Sequence, residues 1–366
     1  MRNLFFIAIS CLLLTSCTDN KQYTINGTFA YPDYEGKSVY LYNDKEMQSL
    51  IDSAKVENNK FLFSGVAPDS VQVAFFSYAK RMAPIMLVLE KGDLSLTIDT
   101  TFFGYNLKGT PLNDEYQIYK DSFQLLMTDS FRFGKEMEAA FQNSDITENE
   151  KQEWKLKTDS VLNDIEDVVF RFISKNANNT LGEHVFLKDT YFMNHKKTEK
   201  LIPLFRPHFD GVDPELKARL IAEENTSEGK AYTDVKGYDI TGKEISFSDF
   251  VGRGNVVLID YWASWCGPCI ADLPHLKDFY NKNKDKGLIV LGVSLDNDKD
   301  AWLKATEKHG IEWPQLSNLK GYDDLAAKTY AIRGIPHTIL IDKNGVIAGR
   351  NLKGAVLQNK FDELIK

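Results

Sequence analysis

The stretch that decides the fold is Val256-Val-Leu-Ile-Asp260-Tyr-Trp-Ala-Ser-Trp265-Cys266-Gly-Pro-Cys269-Ile-Ala-Asp272-Leu-Pro274-His275. Val256 to Tyr261 is apolar, rich in β-branched residues and too short for a typical helix, so it reads as a buried strand. The residues after Cys269 read as a helix. Cys266 then sits where a strand hands over to a helix, beside unpaired backbone N–H groups and the positive end of a helix dipole. That setting favours a thiolate. Gly267 allows a tight approach, and Pro268 is tolerated in a first helical turn because its missing N–H had no partner there. Cys269 lies one turn on, within disulfide reach.

A CxxC pair has other readings. A tetrahedral zinc site needs two more ligands, commonly a second pair downstream, and none follows. Haem attachment needs His directly after the second Cys, and residue 270 is Ile. Redox chemistry and an inert structural disulfide remain, and the strand–CxxC–helix setting favours the first.

The chain has 366 residues, which predicts two or three domains. Its formal net charge of -8 and the lack of a basic stripe argue against nucleic acid or anionic headgroups as electrostatic partners. Met1-Arg-Asn and the apolar run Leu4–Leu14 have the layout of a secretory signal. The run ends in Leu14-Thr-Ser-Cys17, which resembles a bacterial lipobox. This predicts a signal peptide over 1–16, lipidation of Cys17 and a lipid anchor in a membrane. Cys11 would leave with the signal, so Cys266 and Cys269 are the two thiols expected in the mature protein. In an oxidising envelope compartment a lone pair of this kind is better explained by chemistry than by stapling.

Residues 17–110 alternate in strand fashion: Tyr23–Phe29, Ser38–Tyr42, Lys60–Ser64, Val71–Phe76, Ile85–Leu89 and Leu94–Ile98. Gly, Asn, Asp and Pro punctuate them, which predicts an antiparallel, all-β sandwich-like domain. Residues 111–225 read as helical. Trp154, Val161, Ile165, Val168 and Phe172 fall at helical spacing behind a capping box, Thr147-Glu-Asn-Glu150. Asp213-Pro214 caps a further helix. Phe123, Phe131, Phe133 and Phe141 are expected to be helix packing. From 229 to 366 strands and helices alternate, with a hairpin around Gly242, helices 299–309, 323–331 and 356–365, and a closing hairpin across Lys343-Asn-Gly345. This predicts an α/β three-layer fold.

With these residues in view, 229–366 resembles the thioredoxin fold. More narrowly it resembles the membrane-anchored thiol-disulfide reductases of the cytochrome-maturation (TlpA/ResA-like) type, often grouped near the alkyl hydroperoxide reductase (AhpC/TSA) family. The resemblance rests on Asp260 to Cys269, Leu273-Pro274, and Arg333-Gly-Ile-Pro336 through Gly345. The β-rich stretch loosely resembles a domain of unknown function found ahead of such domains in envelope lipoproteins.

The resemblance implies that Cys266 attacks and Cys269 resolves. It implies that Asp260 is a buried acid taking the proton from the resolving thiol, that Pro336 is a cis-proline exposing the backbone of Ile335, and that Trp265 rims the sulfurs. Two departures stand out: Asp272 where those reductases usually carry Glu, and Asp260 where they commonly carry Asn. It also implies envelope proteins as disulfide substrates and a membrane thiol donor, with no cofactor and no metal. A peroxiredoxin-type peroxidase is disfavoured by Ala263 where Thr would sit. The remaining alternative is a client-binding lipoprotein with a redox-silent platform. Trapping, reduction and titration experiments separate these.

Overall fold

The computed structural model describes residues 21–78, 83–99, 104–141 and 146–366. The expected signal sequence, Cys11 and the expected lipidation site Cys17 lie outside the described residues. These residues form two compact units, divided between Asp121 and Ser122.

The first unit is built from two four-stranded sheets. One carries β1 (Gln22–Phe29), β4 (Lys60–Val66), β7 (Gly92–Ile98) and β8 (Tyr105–Lys108), in the order β4-β1-β7-β8. The other carries β2 (Ser38–Tyr42), β3 (Leu50–Lys55), β5 (Gln72–Ser77) and β6 (Ile85–Leu89), in the order β3-β2-β5-β6. The inward faces meet through aromatic rings: Phe61 of β4 stacks on Phe76 of β5 with centroids 4.9 Å apart. The wholly antiparallel expectation needs correction, because β1 runs parallel to β7 from Tyr23 opposite Gly92 to Phe29 opposite Ile98. Both strands alternate buried and exposed residues. Such alternation sets which face is inward but leaves strand direction free.

Helix α1 (Pro111–Phe141) crosses the division between the units. In the second unit α2 (Glu148–Asn176), α3 (Thr180–Asp189), α4 (His195–Phe205) and α5 (Pro214–Asn225) follow. Thr147 accepts from the Glu150 N–H while the Glu150 carboxylate accepts from the Thr147 N–H, closing the capping box. Asp213 accepts from the backbone of Glu215 and Leu216 to start α5. Val161, Ile165, Val169 and Phe172 supply the buried stripe of α2. The phenylalanines expected as helix packing divide: Phe131 and Phe141 are exposed, whereas Phe123 packs edge-on against Phe192 at 5.1 Å.

The remainder of the second unit holds a short hairpin of β9 (Lys236–Tyr238) and β10 (Glu244–Ser246), and a five-stranded sheet. The sheet comprises β11 (Val256–Trp262), β12 (Leu288–Ser294), β13 (Gln315–Leu316), β14 (His337–Ile341) and β15 (Ile347–Arg350), in the order β13-β12-β11-β14-β15. β11 lies at its centre, parallel to β12 and antiparallel to β14, with all seven residues buried. Helices α6 (Gly267–Asn283), α7 (Lys299–Lys308), α8 (Leu325–Thr329) and α9 (Gly354–Leu364) complete the fold. The predicted helix 323–331 is shorter than expected because Asp324 caps it and Ala331 takes a positive φ of 52°. An N-terminal β domain, a helical middle segment and a C-terminal thioredoxin-like α/β domain make up the described residues.

Candidate active site

Cys266 and Cys269 are joined by a disulfide, with Cα atoms 5.2 Å apart, and both are buried. Cys266 is the N-cap of α6, and the Cys269 backbone N–H donates to its sulfur at 3.1 Å. A sulfur in that place receives a helix-terminal N–H that has no partner within the helix. Its Sγ also lies 3.6 Å from the Ile335 carbonyl oxygen. The Ile335–Pro336 peptide bond is cis, and this turn stands directly against the sulfurs. Pro268 is accommodated at the helix start.

The loop feeding Cys266 is pinned by a residue that the sequence did not single out. Asp296, buried just past β12, accepts from the Ser264 N–H at 3.0 Å, from Ser264 Oγ at 2.5 Å and from Ser294 Oγ at 2.8 Å. Ser264 is two residues before Cys266, so these bonds fix the entry into the turn. The Ser294-Leu-Asp296 triplet was legible only as a strand end. Its partner Ser264 lies across a non-local crossover.

Asp260 sits on β11, 5% exposed, opposite Thr338 in the register with β14. Burial pushes its carboxyl up to about 7. The Asp272 charge adds to the rise, and Lys353 opposes it. Asp272 faces Lys353, Oδ2 to Nζ 3.5 Å, on the partly exposed face of α6. Trp265 is 57% exposed, with its ring 6.4 Å from that of Tyr322. Pro274 lies inside α6 and His275 is exposed.

A second group of polar side chains lies behind the cis-proline turn, and sequence reasoning missed it. Arg350 of β15 is buried and donates to Tyr330 O at 2.5 Å, Thr226 O at 2.9 Å and Thr226 Oγ1 at 2.7 Å. His195 Nδ1 stands 2.8 Å from Glu223 Oε2, and its Nε2 stands 2.9 Å from Glu199 Oε1. The surrounding cations and the His195 contact hold Glu223 below the ordinary glutamate range despite its burial. Burial and the Arg350 charge push His337 well below the ordinary histidine range. Among the described residues no group of His, Cys, Asp and Glu has a metal-binding arrangement.

Residues 229–350 match the AhpC/TSA family, and residues 23–116 match a domain of unknown function (DUF4369). The thiol-disulfide oxidoreductase ResA of Bacillus thuringiensis subsp. konkukian is 29% identical over 144 residues, which are 39% of this chain and 80% of that protein. Among solved structures, the thioredoxin domain of a thiol-disulfide oxidoreductase from Bacteroides vulgatus is 34% identical. The match covers 38% of this chain and 99% of that one, with a TM-score of 0.36. A thiol-disulfide oxidoreductase from Bacteroides fragilis is 33% identical, covering 37% and 99%, with a TM-score of 0.35. The C-terminal third, which carries the Cys266–Cys269 pair, is therefore an AhpC/TSA thioredoxin-like thiol-disulfide oxidoreductase domain, and it stands behind an N-terminal DUF4369 domain.

Proposed function

We propose that the protein is a reductant of disulfides in cell-envelope proteins, held to a membrane through lipid on Cys17 and facing the periplasm. The observation that carries the proposal is the Cys266–Cys269 pair at the mouth of α6, where Cys266 is the N-cap and its sulfur receives the Cys269 N–H. The buried Asp260 carboxyl, pushed up to about 7 on the strand that leads into this turn, supplies a base beside that pair. A base that titrates near working pH is suited to taking a proton from a thiol.

In the reaction, the Cys266 thiolate attacks one sulfur of the client disulfide. A Cys266–client S–S bond forms as the client bond breaks, and the first client sulfur leaves as a thiolate that takes up a proton. Cys269 gives its proton to Asp260 and attacks the Cys266 sulfur. The mixed disulfide breaks and the second client thiolate leaves. The client has gained two electrons, and the protein is left as the Cys266–Cys269 disulfide. A membrane thiol donor returns it to the dithiol. Gly267-Pro268 between the cysteines, the dipeptide of reducing thioredoxins, supports this direction.

The test is dithiothreitol-dependent reduction of insulin by the wild type beside Cys266→Ser. Activity in the wild type that vanishes in the variant supports the proposal. Equal silence in both contradicts it and favours a binding lipoprotein with an inert platform.

A further inference from the structure

The joint between the helical segment and the α/β fold holds a cleft of about 590 Å³ that the dithiol chemistry does not use. α5 supplies one side; the turn Gly321–Asp323, α8 and the run up to Arg333 supply the other. The volume is that of a site for a small molecule. Both sides are braced. Arg333 donates to Leu187 O at 2.7 Å and meets Glu215 at 3.2 Å. Arg350 ties β15 to Thr226 at the end of α5.

Arg219 of α5 marks the polar end of the cleft. Its side chain is buried, its Nε carries no hydrogen bond, and its Nη1 donates to Phe186 O at a long 3.4 Å. Glu223 Oε1 stands 4.0 Å from Nε, and that carboxylate is shared with His195 and Arg350. Burial pulls the Arg219 guanidinium down to about 10, which leaves it charged at neutral pH. A buried cation with so little compensation is costly, and an anion that reaches it relieves the cost. The other charges of the lining are paired, Arg333 with Glu215 and Lys328 with Asp323 at 2.8 Å. Beside them Ala218, Ile332 and the Tyr322 ring offer apolar surface. A guanidinium fork matches the two oxygens of a carboxylate, and the apolar surface takes a carbon body.

We propose that this cleft binds a small organic carboxylate, with its charged group on Arg219 and its carbon body against Ile332 and Tyr322. The site goes beyond the dithiol reading and does not depend on it.

Calorimetric titration of the full-length protein with phenylacetate, phenylacetamide, inorganic phosphate and the blocked tripeptide acetyl-Ala-Glu-Ala-amide separates charge, shape and source of the carboxylate. Phenylacetate is expected to bind about tenfold more tightly than each of the other three, and Arg219→Gln to weaken it about tenfold. Ala218→Phe narrows the cleft from an exposed position and should weaken it to a similar degree, which keeps the test open if Arg219→Gln does not fold. Equal binding of the acid and its neutral amide, or no heat from phenylacetate at millimolar concentration, overturns the proposal. So does unchanged affinity in the folded variants. Tighter binding of phosphate reduces the cleft to a general anion site, and tighter binding of the tripeptide assigns it to an acidic protein partner; either result overturns the small carboxylate. Insulin reduction by the same preparation reports on the dithiol reading separately, so the two can fail independently.

Discussion

Lys353 Nζ stands 3.5 Å from Asp272 Oδ2, and the two charges act on the buried Asp260 in opposite senses. Asp272 raises the Asp260 carboxyl and Lys353 lowers it. Removing Asp272 by Asp272→Asn is therefore expected to lower the Asp260 midpoint below about 7, and Lys353→Met to raise it. Carbon-detected titration of the Asp260 carboxyl reads both shifts. Movement of the two variants in the same direction contradicts this arrangement.

The same burial makes stability depend on pH. A carboxyl raised from 3.8 to about 7 binds a proton more tightly in the folded state, so its contribution is fully present below the unfolded value and is lost as pH rises toward 7. Asp260→Asn removes that loss. The variant should gain on the order of 4 kcal/mol over wild type above pH 7, with little difference near pH 4. Urea melts at the two pH values check it.

Asp296 accepts from the Ser264 backbone and from two serine hydroxyls in a buried setting. Asp296→Ala leaves those donors unpaired and should cost about 3 kcal/mol. It should also slow alkylation of Cys266 in the reduced protein, because the loop that places Cys266 at the helix mouth loosens. Normal alkylation in a destabilised variant would make Asp296 structural alone.

Arg350→Met removes the donors to Thr226 and Tyr330 and takes a cation away from Glu223. Breaking such a buried network is expected to cost about 3–5 kcal/mol, read by thermal or denaturant unfolding. A loss near zero contradicts the role given to it as the tie between the helical segment and the sheet.

The redox turn was legible because its information is local: a β-branched run, two cysteines at helical spacing and a proline tolerated at a helix start all lie within one short stretch. The capping box at Thr147 and the Asp213-Pro214 start were legible for the same reason. Strand β3 was not, because Leu50-Ile-Asp-Ser-Ala-Lys55 sets two apolar residues side by side and buries none of its residues, so its sequence shows no apolar–polar alternation. The parallel pairing of β1 with β7 and the cluster of His195, Glu223 and Arg350 join segments far apart in the chain. Each residue there looks like an ordinary surface charge until the fold brings the partners together.

The most direct test of the account is the pH dependence of iodoacetamide alkylation at position 266 in the reduced protein, with Cys269→Ser used to isolate the thiol. Cys266 caps α6 and receives the Cys269 N–H, so its midpoint should fall clearly below the free-cysteine value of about 8.5. A midpoint at or above that value would mean that the helix mouth does not stabilise the thiolate, and the proposed attack by Cys266 would lose its basis.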